Sequence, residues 1–268
     1  MNTITTAVER LDWPLIAAQL NEEGFAVLPG FLSEAQRLEC LQLFNPGPDQ
    51  RCSQLSAQLL GQGEVIHWQA GNAGVFEALK AAFYPPLVQI ANPWSETLGV
   101  PDRYPSQLAR LHALCQAAEQ RHDRSCLLRL AEQDYLGLQQ HAQGEQVFPL
   151  QLIGLLSSPG DEFSGGECVL TEQRPRMQSR PMVVPLRAGD LAIICTAHRP
   201  FKGSKGYYRV NTRHAISRVK SGERLGFELT FHLSPVQRIK AWKSLKIHGR
   251  PDKLRQGCEV SMWLQGDK

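Results

Sequence analysis

After Arg121 the chain is cut into short apolar runs by glycine-bearing turns, and this cadence restricts the fold more than any other feature. "VFPLQLIGLLSS" (147–158) reads as a strand ended by "PGDEFSGGE". "CVLTE" (168–172) is a second. "MVVPL" (182–186) and "LAIICT" (191–196) flank the turn "RAGD". "GYYRVNTRHAISRV" (206–219) is a long strand, which "SGER" turns into "LGFELTFHL" (225–233). Short strands at this spacing point to a β-sandwich or barrel over residues 126–234. "SGGE" (164–167) reads as a tight turn, not a phosphate loop. "KGSKG" (202–206) lacks the Walker pattern and reads as a flexible basic loop.

The preceding part has a different texture. Residues 13–22 read as a short helix, and "EEGFAVLPGF" (22–31) as a turn into a strand. Ser33 with Gln36 forms a capping box for a helix to about Phe44. Residues 75–92 read as helical, interrupted by Pro85 and Pro86. Leu108, Leu111, Cys115 and Ala118 recur at helical spacing within 106–121. No Pro/Gly/Ser linker separates the two textures, so 1–268 is expected to be a single α+β domain. Its parts are a mainly helical segment 1–125, a β core 126–234 and a basic C-terminal tail 235–268.

Charge and cysteine usage narrow the function classes. The net charge is +3, yet from Ser234 onward eight Lys/Arg face three Asp/Glu, a balance of +5 that leaves −2 for the rest. Trp242, Leu245, Ile247 and Trp263 are interspersed with these charges, which favours a solvated face over a nucleic-acid surface. The seven cysteines are odd in number and form no Cys-x-x-Cys pair, arguing against a disulfide framework or structural zinc. No apolar run reaches the roughly 18 residues that span a bilayer, and "MNTITTAVERLDWPL" has no signal-peptide pattern; a cytoplasmic protein is expected.

Within the β region, "LQQHAQGEQVFPL" (138–150) carries Gln139 and His141 at the i, i+2 spacing that places two side chains on one face of a strand. Two such ligands, with a third from a distant strand, can occupy one face of an octahedron and leave the other open. That is the two-histidine, one-carboxylate arrangement of non-heme Fe(II) oxygenases.

The chain resembles the bacterial 2-oxoglutarate/Fe(II)-dependent oxygenases related to prolyl hydroxylases. The likeness runs from "EEGFAVLPGFLS" through "GEQVFPLQLIGLLSSPGDEFSGGECVLTEQRPRMQSR" to "YYRVNTRHAISRVKSGERLGFELTFH", about Gly24 to His232. It implies a double-stranded β-helix (jelly roll, cupin-like) with an N-terminal helical layer. It also implies Fe(II) as metal and 2-oxoglutarate as co-substrate. The family motif is His-x-Asp, a distal His, and an Arg or Lys about ten residues later. His214 matches the distal metal ligand, and Arg224 the 2-oxoglutarate anchor. Gln139 and His141 stand where the family has His and Asp, so the implied metal set is Gln139, His141 and His214, all neutral.

Three readings stay open. In the first, an altered but working site uses His141 and His214, helped by Gln139 or Glu145. In the second, the register slips to His141-x-Gln143. In the third, the metal site is gone and the fold serves as a small-carboxylate or protein-binding module. The expected substrate is a small molecule or a protein side chain. Arg174, Arg176, Arg180, Arg209 and the 199–206 loop would make a basic rim that favours an anionic one, although no nucleic-acid recognition motif is present. His198 is expected to line the site, and His67 beside Trp68 to pack or lie at the surface.

Overall fold

The computed structural model describes residues 3–45, 51–68, 74–101 and 103–235. The C-terminal tail with Trp242, Leu245, Ile247 and Trp263 lies outside the described residues. Five helices fall between residues 3 and 117: α1 (Thr3–Glu9), α2 (Trp13–Glu22), α3 (Glu34–Gln42), α4 (Gly74–Thr97) and α5 (Leu108–Ala117). Interleaved with them are β1 (Phe25–Leu28), β2 (Arg51–Gln54), β3 (Gly61–Gln62) and β4 (Glu64–His67). After α5 come β5 (Gln120–Asp123), β6 (Cys126–Leu130), β7 (Tyr135–Gln139), β8 (Leu150–Leu155), β9 (Phe163–Gly165) and β10 (Cys168–Gln173). The remaining strands are β11 (Arg180–Val184), β12 (Leu191–Cys195), β13 (His198–Gly203), β14 (Gly206–Ile216), β15 (Val219–Gly222), β16 (Arg224–Leu229) and β17 (Leu233–Pro235).

Two antiparallel sheets carry the architecture. The larger has seven strands in the order β1-β12-β8-β16-β6-β4-β2; the smaller has six, β11-β10-β14-β7-β3 with β13 paired to β14. Strand alternation sorts the core into two layers. Leu127, Leu152, Ile193, Phe227 and Leu229 lie in one cluster with Phe76, Leu79, Phe83 and Leu87 of α4. Their neighbours Leu128, Ile153, Leu155, Ala192 and Ile194 lie in a second cluster with Cys168, Leu170, Val184 and Ile216 of the smaller sheet. The second cluster therefore fills the space between the sheets.

Several local readings hold. The Ser33–Gln36 capping box is present in both directions, and α2 spans the expected residues. Others change. Pro85, Pro86 and Pro93 lie inside α4, which runs on without a break. Each proline removes an intrahelical hydrogen bond; the loss is offset by burial, since Phe83, Tyr84, Leu87, Val88, Ile90 and Ala91 around them are all buried. The helix expected to reach Arg121 stops at Ala117, because Glu119 takes a left-handed φ of 57° and β5 begins at Gln120. The 202–206 segment is not a loose loop. β13 and β14 pair in register from His198↔Asn211 to Gly203↔Gly206, a tight hairpin with Ser204 and Lys205 at its tip.

Arg199 also departs from its expected place on the rim: it is 0% exposed. Its guanidinium donates to the carbonyls of Asn21 (2.6 Å) and Glu22 (3.0 Å), the unpaired C-terminal groups of α2, and to the carboxylate of Glu172. Gly24, at φ 80°, leaves room for it: a Cβ there would stand 3.0 Å from the Arg199 Nε. The arginine thus ties α2 and the start of β1 to β10 and β13. Replacing Arg199 by Leu leaves Glu172 buried with only Arg174 as a partner. The expected loss is about 3–5 kcal/mol of unfolding free energy, read by chemical denaturation, with a distinctly smaller loss for Arg174→Ala.

Candidate metal and co-substrate site

β14 brings His214 to the inter-sheet face, opposite Gln139 of β7 in register. His141 lies two residues beyond the end of β7, at the start of the 140–149 segment. That segment is pinned on both sides. Gln140 Nε2 donates to the Thr212 carbonyl (2.6 Å). Gln120 Oε1 accepts from the amides of Glu145 and Gln146 (both 2.8 Å), and Tyr104 Oη donates to the Val147 carbonyl (2.7 Å). His141, between these anchors, is 8% exposed.

The third member comes from β16. In this strand Leu225, Phe227 and Leu229 face the α4 side, so Arg224, Gly226 and Glu228 face the inter-sheet space. Glu228, 1% exposed, lies between the two imidazoles: Oε2 is 2.9 Å from His141 Nε2, and Oε1 is 3.2 Å from His214 Nε2. Ligand atoms of His141, His214 and Glu228 all lie within 4.8 Å of one another, the one such trio of His, Cys, Asp or Glu among the described residues. Gln139 adjoins it, with Nε2 3.3 Å from His214 Nε2 and 3.4 Å from Glu228 Oε2. Burial pushes the Glu228 carboxyl up, but the charge of His214 and the hydrogen bonds from both imidazoles outweigh it and hold the group well below the usual carboxylate range. Gln143 and Glu145 are exposed, and neither is bonded to the trio.

Arg224 is 1% exposed, and its one hydrogen bond among the described residues is Nε to the Gly166 carbonyl, 2.9 Å. Its outer nitrogens point along the strand toward Glu228. A Cβ on Gly226, the residue between them on that face, would meet Arg224 Nη1 at 3.0 Å. Arg224 also lines a cavity of about 300 Å³ with Leu155, Phe163, Gly166 and Cys168. The four residues singled out in the sequence, Gln139, His141, His214 and Arg224, thus all belong to the inter-sheet interior. His198, in contrast, is exposed and lines a separate cavity with Arg209, Trp94 and Tyr104.

Glu228 was not among the sequence candidates. A signal existed: it is an acid at period two from Arg224 inside an otherwise apolar strand, where a lone carboxylate implies a buried partner. Gln151, 0% exposed, was also missed. Its amide nitrogen is 3.3 Å from His214 Nδ1, and its oxygen has no partner.

The arrangement is that of an oxygenase. Two solved structures share the fold at low identity. One is a 2OG-Fe(II) oxygenase-family oxidoreductase from Burkholderia pseudomallei, with TM-score 0.50, 16% identity, and coverage of 85% of this chain and 96% of the other. The second is a prolyl hydroxylase from Trichoplax adhaerens, in complex with a peptide fragment of the hypoxia inducible factor oxygen degradation domain. It has TM-score 0.53, 13% identity, and coverage of 86% and 92%. The fold is accordingly that of the 2-oxoglutarate oxygenases, a jelly roll. In sequence, an uncharacterized protein of Mycobacterium tuberculosis, recorded from strains CDC 1551 and H37Rv, is 40% identical over 158 residues, 59% of this chain and 68% of its own length. Residues 63–234 match the family described as "Oxygenase, catalysing oxidative methylation of damaged DNA", and the chain belongs to this family.

A buried histidine beside the trio gives a pH test of the packing. His232 is 1% exposed, and neither ring nitrogen has a hydrogen-bond partner among the described residues. Burial, with the nearby His141 second, pushes its pKa down to about 4. The unfolded chain binds this proton near pH 6.5 and the folded protein does not. The stability this residue contributes is therefore full above about 6.5 and falls as the pH drops toward 4. The steepest slope expected is about 1.4 kcal/mol per pH unit. In denaturation at several pH values, His232→Phe should remove that slope.

Proposed function

We propose that the protein is a Fe(II)- and 2-oxoglutarate-dependent oxygenase of the hydroxylase type, with its carboxylate ligand supplied by β16. His141, His214 and Glu228 would hold the iron, Gln139 would stand beside it, and Arg224 would receive the far carboxylate of 2-oxoglutarate. The carrying observation is the Glu228 carboxylate buried between two imidazole nitrogens. It restores the negative charge absent from Gln139 and His141, giving the two-histidine, one-carboxylate set.

The residues fit such an ion on two grounds. The first is the donor set, two imidazoles and one carboxylate whose ligand atoms lie within 4.8 Å of one another. The unpaired Gln151 oxygen is the second. Amide oxygen and nitrogen have nearly the same shape, and reversing them lets the oxygen accept from His214 Nδ1–H. The Nε2 lone pair of His214 then faces the trio, as a ligand must. When bound, iron and 2-oxoglutarate supply the oxidising power for C–H hydroxylation. The chain's own part is to fix the imidazoles through Gln140, Gln120 and Gln151. It also presents a desolvated guanidinium to a carboxylate and walls the site with the apolar inter-sheet cluster.

For the primary substrate, exposed Arg176, Arg180, Lys202, Lys205 and Arg209 support an anionic molecule. The family description names damaged DNA, which is a substrate of that kind. A small molecule or protein side chain fits equally. A second reading, a catalytically inactive binding module, is favoured by the way Glu228 satisfies both imidazoles by itself. Anaerobic Fe(II) titration separates the two. The oxygenase reading expects saturable iron binding and a weak visible band that appears only with 2-oxoglutarate present. Glu228→Ala and His214→Ala should each weaken iron binding by at least about tenfold, and Gln151→Leu by about 10–100-fold. Arg224→Ala should abolish the band and spare the iron. Failure to retain iron at sub-millimolar concentration would favour the binding module.

A further inference from the structure

The cavity that His198 and Arg209 line has a volume of about 140 Å³. The end of α4, with Leu98, Val100 and Tyr104 after it, forms one side; Val147, Pro149 and the β13–β14 pair form the other. Most of the wall is apolar, and its two aromatic residues have their polar ends engaged. Trp94 Nε1 donates to Asn21 Oδ1 (2.6 Å), and Tyr104 Oη donates to the Val147 carbonyl (2.7 Å). Near the end of α4 the carbonyls of Trp94, Ser95 and Glu96 already accept from the amides of Leu98, Val100 and Gly99. To a ligand the rings therefore offer carbon surface, and the helix end offers no bare carbonyl from these three residues.

Three polar side chains remain. Ser95 is 6% exposed, and its hydroxyl makes no hydrogen bond among the described residues; a buried hydroxyl without a partner is disfavoured. Arg209 has neither an ion pair nor a side-chain hydrogen bond among the described residues, and no Asp or Glu lines the cavity. Burial and the charge of Arg209 push the His198 pKa down, so the ring is neutral at pH 7 and carries one N–H. The lining thus holds one cation and no carboxylate. A cationic ligand would meet Arg209 with no acid to offset it, and a neutral ring would leave the guanidinium unused. A carboxylate takes the guanidinium fork, and a flat apolar body fills the rest. A cavity of about 150 Å³ accepts a benzene ring, so the size suits one ring, with its charge at the open side where Arg209 and His198 are exposed.

We propose that this cavity binds a small single-ring carboxylate, with Arg209 as its counter-ion, His198 and Ser95 as further donors, and Trp94, Tyr104 and Pro149 in the apolar wall. It shares no lining residue with His141, His214, Glu228 or Arg224. Its occupancy therefore needs no metal.

The test uses the full chain without added metal, with benzoate as probe and benzamidine and benzyl alcohol as controls of like shape. Ligand-detected NMR and calorimetry read binding. The expected result is saturable benzoate binding with Kd at or below about 1 mM, and at least tenfold weaker binding of both controls. Arg209→Gln, a change at an exposed position, should weaken benzoate by about tenfold or more, and Ser95→Ala by about three- to tenfold. Benzoate can also meet the other guanidinium, so Arg224→Ala is titrated beside them, with folding of each variant checked by circular dichroism. Absence of benzoate binding at ten times that concentration would overturn the proposal. So would equal binding of benzamidine or benzyl alcohol, or binding that Arg209→Gln leaves untouched and Arg224→Ala removes. Iron and 2-oxoglutarate titrations report on the other site, so the two readings fail separately.

Discussion

Everything about the inter-sheet interior turns on the charge of one buried carboxylate. An isolated carboxylate in such a place is strongly disfavoured and would take up a proton. Glu228 does the reverse, because one imidazole from β14 and one from the segment after β7 are set against its two oxygens. Gln139 and Gln151 extend the network, so the polar groups of both sheets converge on one point within an otherwise apolar layer. Remove the carboxylate and two buried histidines face each other with ring centroids 5.4 Å apart and nothing between them.

Two buried arginines show how similar residues come to opposite uses. Arg199 has carbonyls and a carboxylate around its guanidinium, and so acts as a structural tie. Among the described residues Arg224 has a single carbonyl on Nε, and its remaining donors face a cavity and the Glu228 side. Buried guanidinium groups without partners are rare, since desolvation is not offset. That asymmetry, more than its distance in sequence from His214, distinguishes Arg224 as a place for a carboxylate.

Much of the fold could be read from the chain. The strand cadence, the capping box and the strands β10, β11, β12 and β14 rest on local patterns, and the structure follows them. Gln139 and His141 stand out by their spacing, His214 and Arg224 only by the family resemblance, and all four share the interior. What escaped were features set by tertiary packing. The prolines of α4 read as breakers because local preference is against them, yet the apolar face of that helix overrides it. Arg199 reads as a surface charge because nothing nearby in sequence shows the carbonyls of α2 that receive it. Glu228 is hidden in the sequence because strand alternation points to a carboxylate beside His141, whereas the fold brings one from 87 residues away.

That separation has a topological consequence. His141 follows β7 of the smaller sheet and Glu228 lies on β16 of the larger, and the chain between them makes most of the jelly roll before returning. A group bridging the two closes a long loop and sets the spacing of the sheets at that point. The entropy of closure grows only slowly with loop length, so a distant carboxylate is little worse than a near one. What changes is the coupling. A site built on one strand can form in a fragment, but this one exists only when the whole barrel has closed. Any ligand that prefers it acts as a clasp on the folded state, adding its binding free energy to that of the fold.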